Sequence, residues 1–196
     1  LIGKEKFLFT RAGIVGRPNV GKSTFFNSLL GRTRAIVGDF AGVTRDYKEE
    51  LLELKNFEIQ LVDTAGLKSS LRTSQDKMIN RHTLNLINKL DIILFVIDGR
   101  EGVTLEDQEI FQICRKLNKL TILIVNKVET TAVERRFLQE DTNFFGLANI
   151  ICVSSEHRIG IENVINALID LCEEHELGSI EKNIIEHEKK PINIAI

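Results

Sequence analysis

Cysteine is scarce in this chain: Cys114, Cys152 and Cys172 are widely spaced and sit in apolar contexts, with no CxxC pair and no histidines at metal-ligand spacing. That pattern excludes a disulfide scaffold and a structural zinc site, and leaves buried, reduced thiols of a cytosolic protein as the expectation. Apolar runs all fall short of the roughly 20 residues of a membrane span, so a cytoplasmic protein without a membrane partner is expected. The first ten residues, LIGKEKFLFT, mix charges among the apolar ones and lack the unbroken core and cleavage site of a signal peptide. A large net charge is missing too. At −2, the chain has no strong, unspecific attraction for nucleic acid, and an RNA partner has to be recognised locally. Internal repeats and low-complexity tracts are absent from the sequence.

What is present is an ordinary globular composition, 43% hydrophobic and 28% charged, in 196 residues, enough for one common-sized domain with little left over. Strand-length apolar runs alternate with helix-period segments. This is the pattern of an α/β fold with a mostly parallel sheet and helices on both faces. Strands are expected from about Leu8 to Val15, Leu51 to Leu54, Phe57 to Val62, Ile92 to Asp98, Leu120 to Val125 and Asn149 to Ser154. The second and third read as a hairpin around Lys55-Asn56, so one of the six strands runs antiparallel. Helices are expected after Gly21, from about Asp76 to Lys89, Leu105 to Asn118 and Ala132 to Phe145, and finally through Ile161 to Cys172. From Gly178 onward the pattern fades into the linker-like EKNIIEHEKK. The chain starts at Leu1 and stops in the strand-like PINIAI, which reads as a fragment of a longer protein.

Chemistry enters with Gly16-Arg17-Pro18-Asn19-Val20-Gly21-Lys22-Ser23, which fits GxxxxGK[ST] and lies after a strand and before a helix. In such a loop the backbone N–H groups curl around phosphates at a helix N-terminus, and Thr24 continues into that helix. Lys22 is expected to reach the β- and γ-phosphates, and the Ser23 hydroxyl to ligate magnesium. A P-loop alone leaves adenine and guanine both open. Asn126-Lys127-Val128-Glu129, directly after a strand, resembles the GTPase motif NKxD, whose carboxylate accepts from the guanine ring N–H and exocyclic amine; Glu129 keeps the charge and adds one methylene. Ser154-Ser155-Glu156 resembles the remaining base-contacting loop. Asp63-Thr64-Ala65-Gly66 resembles DxxG, with Asp63 holding magnesium through water and the Gly66 amide sensing the γ-phosphate. Thr44, in the polar loop from Gly38 to Asp46, is the candidate switch threonine that completes the magnesium shell.

With these motifs the chain resembles the Era-like branch of the translation-factor-class GTPases over about Phe7 to His175. GRPNVGKST, AGVTRD, DTAGL and SSEHRIG bring it nearest to the Der (EngA) family of bacterial ribosome-assembly GTPases, which carry two G domains in tandem. The resemblance implies a GTPase with GTP and GDP as substrate and product, and a role in maturing the large ribosomal subunit or its rRNA. It also implies a G domain over residues 1–178, a linker over 179–190, and in 191–196 the first strand of a second G domain. The family's KH-like RNA-binding domain is absent from this sequence. Leu67 follows DxxG, so the glutamine that orients water in many GTPases is missing. In relatives with asparagine at the place of Asn19, that residue binds potassium together with switch-loop carbonyls, here around Gly42 and Val43. The catalytic candidates are therefore Lys22, Asn19, Thr44 and Gly66. Alternatives are a G domain of the tRNA-modification type, a nucleotide-binding switch with negligible hydrolysis, and a P-loop ATPase.

Overall fold

The computed structural model describes residues 10–31, 34–36, 48–64, 81–140, 144–147 and 149–177. Along them run β1 (Thr10–Val15), α1 (Lys22–Leu30), β2 (Arg34–Ile36), β3 (Lys48–Leu54), β4 (Phe57–Asp63), α2 (Arg81–Asn88), β5 (Ile92–Asp98), α3 (Leu105–Lys116), β6 (Leu120–Asn126), α4 (Thr131–Glu140), β7 (Ile150–Cys152) and α5 (Ile161–Glu174). The strands form one sheet in the order β2-β3-β4-β1-β5-β6-β7. β1 pairs in parallel with both β4 and β5, and β5-β6 and β6-β7 are parallel as well. β3 alone runs antiparallel to its neighbours, in the expected hairpin with β4. Beyond the six expected strands, Arg34–Ile36 adds a seventh at the β3 edge.

The sheet is buried on both faces, and its central strands show why they read as unbroken apolar runs. Along β5, Ile92, Leu94 and Val96 join a core with Phe25 and Leu29 of α1 and Val164 and Leu168 of α5. The alternate residues Ile93, Phe95 and Ile97 pack with Ile87 of α2, Phe111 of α3 and Phe137 of α4. Each fully buried side chain of this size contributes about 1.5–3 kcal/mol relative to exposure. Thr104 starts α3 by accepting from the Asp107 amide at 3.2 Å, while Asp107 Oδ2 accepts back from the Thr104 N–H at 3.1 Å, a capping box.

Several boundaries differ from expectation: β3 already begins at Lys48, before Leu51, and α4 and β7 end early. α4 ends at Glu140, and Phe144 and Phe145 lie past it. The apolar signal of Phe145 comes from an aromatic cluster, its ring 4.8 Å edge-on from Phe111 and 6.1 Å from Phe95. β7 is shorter than expected because Ser154 leaves the ladder to bridge with Ile159. All three cysteines are free, Cys114 and Cys172 buried and Cys152 half-buried. Among the described residues, no helix is long and apolar enough to cross a membrane.

Candidate nucleotide-binding site

The P-loop springs from the carboxyl end of β1, where the strand order reverses: its neighbours β4 and β5 are consecutive strands on opposite sides. Such a switch point opens a crevice for ligands. Gly16 passes so close to β5 that a Cβ there would lie 2.2 Å from the Val96 carbonyl oxygen. Asn19 at φ 67° and Gly21 at φ 95° take the left-handed turns that close the loop, and Val20 plugs into the core at 0% exposure. Gly21 caps α1 without a side-chain bond, so amides of its first turn are not taken by a capping side chain. The buried Lys22 folds over the loop, its ammonium donating to the carbonyls of Gly16 at 2.9 Å and Arg17 at 2.7 Å. Ser23 and Thr24 are exposed at the start of α1.

Arg17 anchors the loop from outside. Its Nη2 donates to Glu101 Oε2 at 2.6 Å and its Nε to Asp107 Oδ2 at 3.3 Å, Asp107 being the fully buried member of the α3 capping box. Burial lowers the Arg17 pKa, but the charges of Asp107 and Glu101 and their hydrogen bonds outweigh it and raise it above the ordinary value. The guanidinium therefore stays charged.

Asn126, at the end of β6, stands at the centre of the arrangement. Its Nδ2 donates to the Val20 carbonyl at 2.9 Å, and its Oδ1 accepts from the Ser155 N–H at 3.1 Å and the Ser155 hydroxyl at 2.8 Å. Lys127, at φ 64°, crosses back to the P-loop, donating to the Asn19 carbonyl at 2.9 Å and to Asp98 Oδ2 at 2.6 Å. The buried Val128 fastens its loop to the loop after β7, its N–H donating to the Val153 carbonyl at 3.0 Å. Glu129 opens into a cavity of about 270 Å³ whose lining includes Gly21, Thr24, Asn126, Lys127 and Ser155. Ser154 also lines it, and its hydroxyl is buried without a hydrogen-bond partner among the described residues.

Asp63 ends β4 opposite Ile14 of β1, and is buried. Thr64 next to it donates to the Ile14 carbonyl at 2.5 Å, which ties this turn to the root of the P-loop. Ser23 and Asp63 offer a hydroxyl and a carboxylate from the P-loop helix and the strand beside β1, the hard oxygen donors that suit magnesium. Thr44, Ala65, Gly66 and Leu67 lie outside the described residues. Sequence reasoning missed Asp98, Arg100, Glu101 and Asp107. The available signal was Asp98 at the carboxyl end of a buried strand, the sheet edge at which ligands gather.

A family model described as 50S ribosome-binding GTPase matches residues 11–127, a stretch that includes the P-loop, Asp63, Asn126 and Lys127. GTPase Der of Thermotoga sp. (strain RQ2) is 38% identical over 161 residues, 82% of this chain and 37% of its own length. GTPase Der of Brucella anthropi is 36% identical over 169 residues, 86% of this chain and 35% of that protein. The chain thus spans little more than a third of the length of the curated relatives it matches. Among solved structures, a variant of Aquifex aeolicus Era bound to GDP and AlF4− aligns with a TM-score of 0.66 at 26% identity, over 82% of this chain and 56% of that one. Era in complex with MgGDPNP and a segment of 16S ribosomal RNA aligns with a TM-score of 0.67 at 26% identity, over 83% and 56%. With the P-loop, Asp63 and Asn126 all at the carboxyl ends of parallel strands of one sheet, and with the family model matched over more than half the chain, the chain belongs to the 50S ribosome-binding GTPase family.

Proposed function

We infer that this chain binds GTP and GDP, hydrolyses GTP, and serves as the nucleotide switch of a protein acting in assembly of the large ribosomal subunit. The observation that carries the reading is the clasp of Asn126 on Val20 and Ser155, which joins a phosphate loop and a base loop through one buried side chain. Glu129 faces the cavity beside that clasp, and accepts from the guanine N–H groups. Adenine offers no such pair of donors.

In this reading the triphosphate lies along the P-loop amides from Gly16 to Thr24, and Lys22 turns its ammonium from the loop carbonyls to the β- and γ-phosphates. Ser23, Asp63 and Thr44 hold magnesium. When bound, the ion neutralises charge on the phosphate oxygens. The Gly66 amide registers the γ-phosphate, and Thr64, Ala65 and Leu67 are the further nucleotide contacts of this reading. Leu67 cannot orient water. Asn19, exposed at the rim of the P-loop, supplies an oxygen for potassium, whose charge takes the part of an arginine finger.

The family description names the 50S particle, which favours the large subunit as partner; the Era neighbour, crystallised with 16S ribosomal RNA, makes RNA the contact to test first. Residues 1–178 form the G domain, 179–190 a linker and 191–196 the start of a second G domain, in keeping with the greater length of the curated relatives. The protein works in the cytoplasm.

The test is steady-state hydrolysis of GTP and ATP in magnesium, with potassium and then sodium, by this chain and by Asn19→Ala. Turnover of GTP alone, faster in potassium and indifferent to potassium in Asn19→Ala, is expected. Tight GTP binding with no turnover in either salt replaces the enzyme by a binding switch, the reading that Leu67 favours. Equal use of ATP would falsify the guanine assignment.

A further inference from the structure

We propose that Arg100 is a specificity-positioning residue: it grips the carboxylate of Glu129, one methylene longer than the aspartate of the usual motif, and holds it where guanine needs it. The proposal deepens the reading of this site as a guanine-nucleotide site and rests on it.

Arg100 Nη2 lies 2.5 Å from Glu129 Oε1, and both residues line the same cavity as Asn126 and Ser155. With side chains 54% and 32% exposed, the pair is too open to contribute much to folding. Its roots, however, are fixed. The Arg100 N–H donates to Asp98 Oδ1 at 2.9 Å, and its carbonyl accepts from Arg136 at 2.9 Å. The preceding residue, Gly99, donates to the Asn126 carbonyl at 2.7 Å and lies so close to Val128 that a Cβ would meet its Cγ2 at 2.7 Å. Arg100 thus stands on the backbone that presses against the Asn126–Glu129 loop, and its guanidinium is aimed from a fixed base.

Chemistry supplies the need. The additional methylene gives Glu129 one more rotatable bond, so an unrestrained carboxylate loses more freedom when a base immobilises it. Glu156 and His157 share its neighbourhood, and a second carboxylate repels the first. Arg100 answers both demands, removing rotational freedom in advance and offsetting the repulsion. Nor does it consume the acceptor. A carboxylate has about four lone-pair sites, so one bond to Arg100 leaves enough for the two guanine donors.

The experiment measures equilibrium binding of fluorescent GDP and IDP, the latter lacking the exocyclic amine, by the chain, Arg100→Ala, Glu129→Asp and the double variant. Arg100→Ala is expected to weaken GDP binding by roughly 5- to 10-fold, the cost of immobilising one rotamer-rich side chain. IDP is weakened less, so the preference for GDP narrows. In the Glu129→Asp background the same replacement changes GDP binding by less than about twofold, a coupling that identifies Arg100 as acting through Glu129. Tighter GDP binding by Arg100→Ala, equal losses for GDP and IDP, or equal losses in both backgrounds overturn the proposal. If the parent chain binds no guanine nucleotide, the reading of the site fails and the proposal falls with it.

Discussion

Asn126 and Ser155 are joined twice, the asparagine oxygen accepting both the serine amide at 3.1 Å and its hydroxyl at 2.8 Å, both residues being buried. The same asparagine donates to Val20. Asn126→Ala leaves a buried N–H and a carbonyl unpaired, at about 1–3 kcal/mol for each group left unsatisfied. Urea unfolding without nucleotide is expected to show that loss. GDP titration is expected to show a larger one, because the base loop and P-loop lose their common tie. A variant as stable and as tight as the parent would remove the clasp from the account of the site.

Gly16 and Gly31 provide a contrast between two glycine substitutions. A methyl on Gly16 meets the Val96 carbonyl oxygen at 2.2 Å, backbone of a fully buried strand that cannot yield. On Gly31 it meets only the Arg158 guanidinium, from 3.1 Å, and φ there is −70°. Gly16→Ala is expected to cost about 1–3 kcal/mol, as overpacking does, and to abolish detectable nucleotide binding. Gly31→Ala is expected to be neutral or to stabilise by about 0.5 kcal/mol through the unfolded chain. Chemical denaturation of the two variants side by side checks the pair.

Asp107 carries two duties, closing the α3 capping box with Thr104 and receiving Arg17 of the P-loop. Thr104→Ala breaks only the first and should cost about 1 kcal/mol. Asp107→Ala also strips a charge partner from the largely buried Arg17, and its cost should reach about 3 kcal/mol. The separating observation is GDP affinity, which is expected to fall in Asp107→Ala and to hold in Thr104→Ala.

Burial pushes the Cys114 thiol up from 9.0 to about 12, and burial, assisted by Glu134 and Asp91 respectively, pushes Cys152 and Cys172 up to about 11. The folded state therefore holds its thiol protons where the unfolded chain releases them. These groups support folding below pH 9, and that support is lost as pH rises through about 11 to about 12. A thiol-specific chromogenic reagent at pH 8 is expected to label none of the three in the native chain and all three in denaturant. Rapid labelling of the native chain would contradict this.

The sheet was legible because its strands are either unbroken apolar runs, such as Ile92 to Asp98, or a clean alternation, such as Phe57, Ile59 and Leu61. The segments GRPNVGKS, NKVE and SSE stood out because nucleotide chemistry demands fixed residues at fixed spacings, and the structure brings the three together at Asn126. Arg34–Ile36 was not, since three residues carry too little periodicity and this strand exists only through its pairing with β3. The supports of the site were hidden for another reason. Arg17 meets Asp107 across 90 residues and Arg100 meets Glu129 across 29, and no local pattern announces a partner so far away. The Phe144–Phe145 pair misled the reading of α4 because an aromatic cluster and a helix face leave the same apolar mark.

The loops that meet at Asn126 leave the ends of β1, β6 and β7, which the chain must bring together before any of its bonds can form. The unfolded chain has no partial version of the site to offer, so a nucleotide rewards only the completed sheet. Mass action then turns the ligand into a fold stabiliser, about 2.7 kcal/mol at a hundredfold excess over its dissociation constant. If the proposed reading holds, GDP in such excess is expected to slow digestion of the native chain by a protease in proportion to that stabilisation.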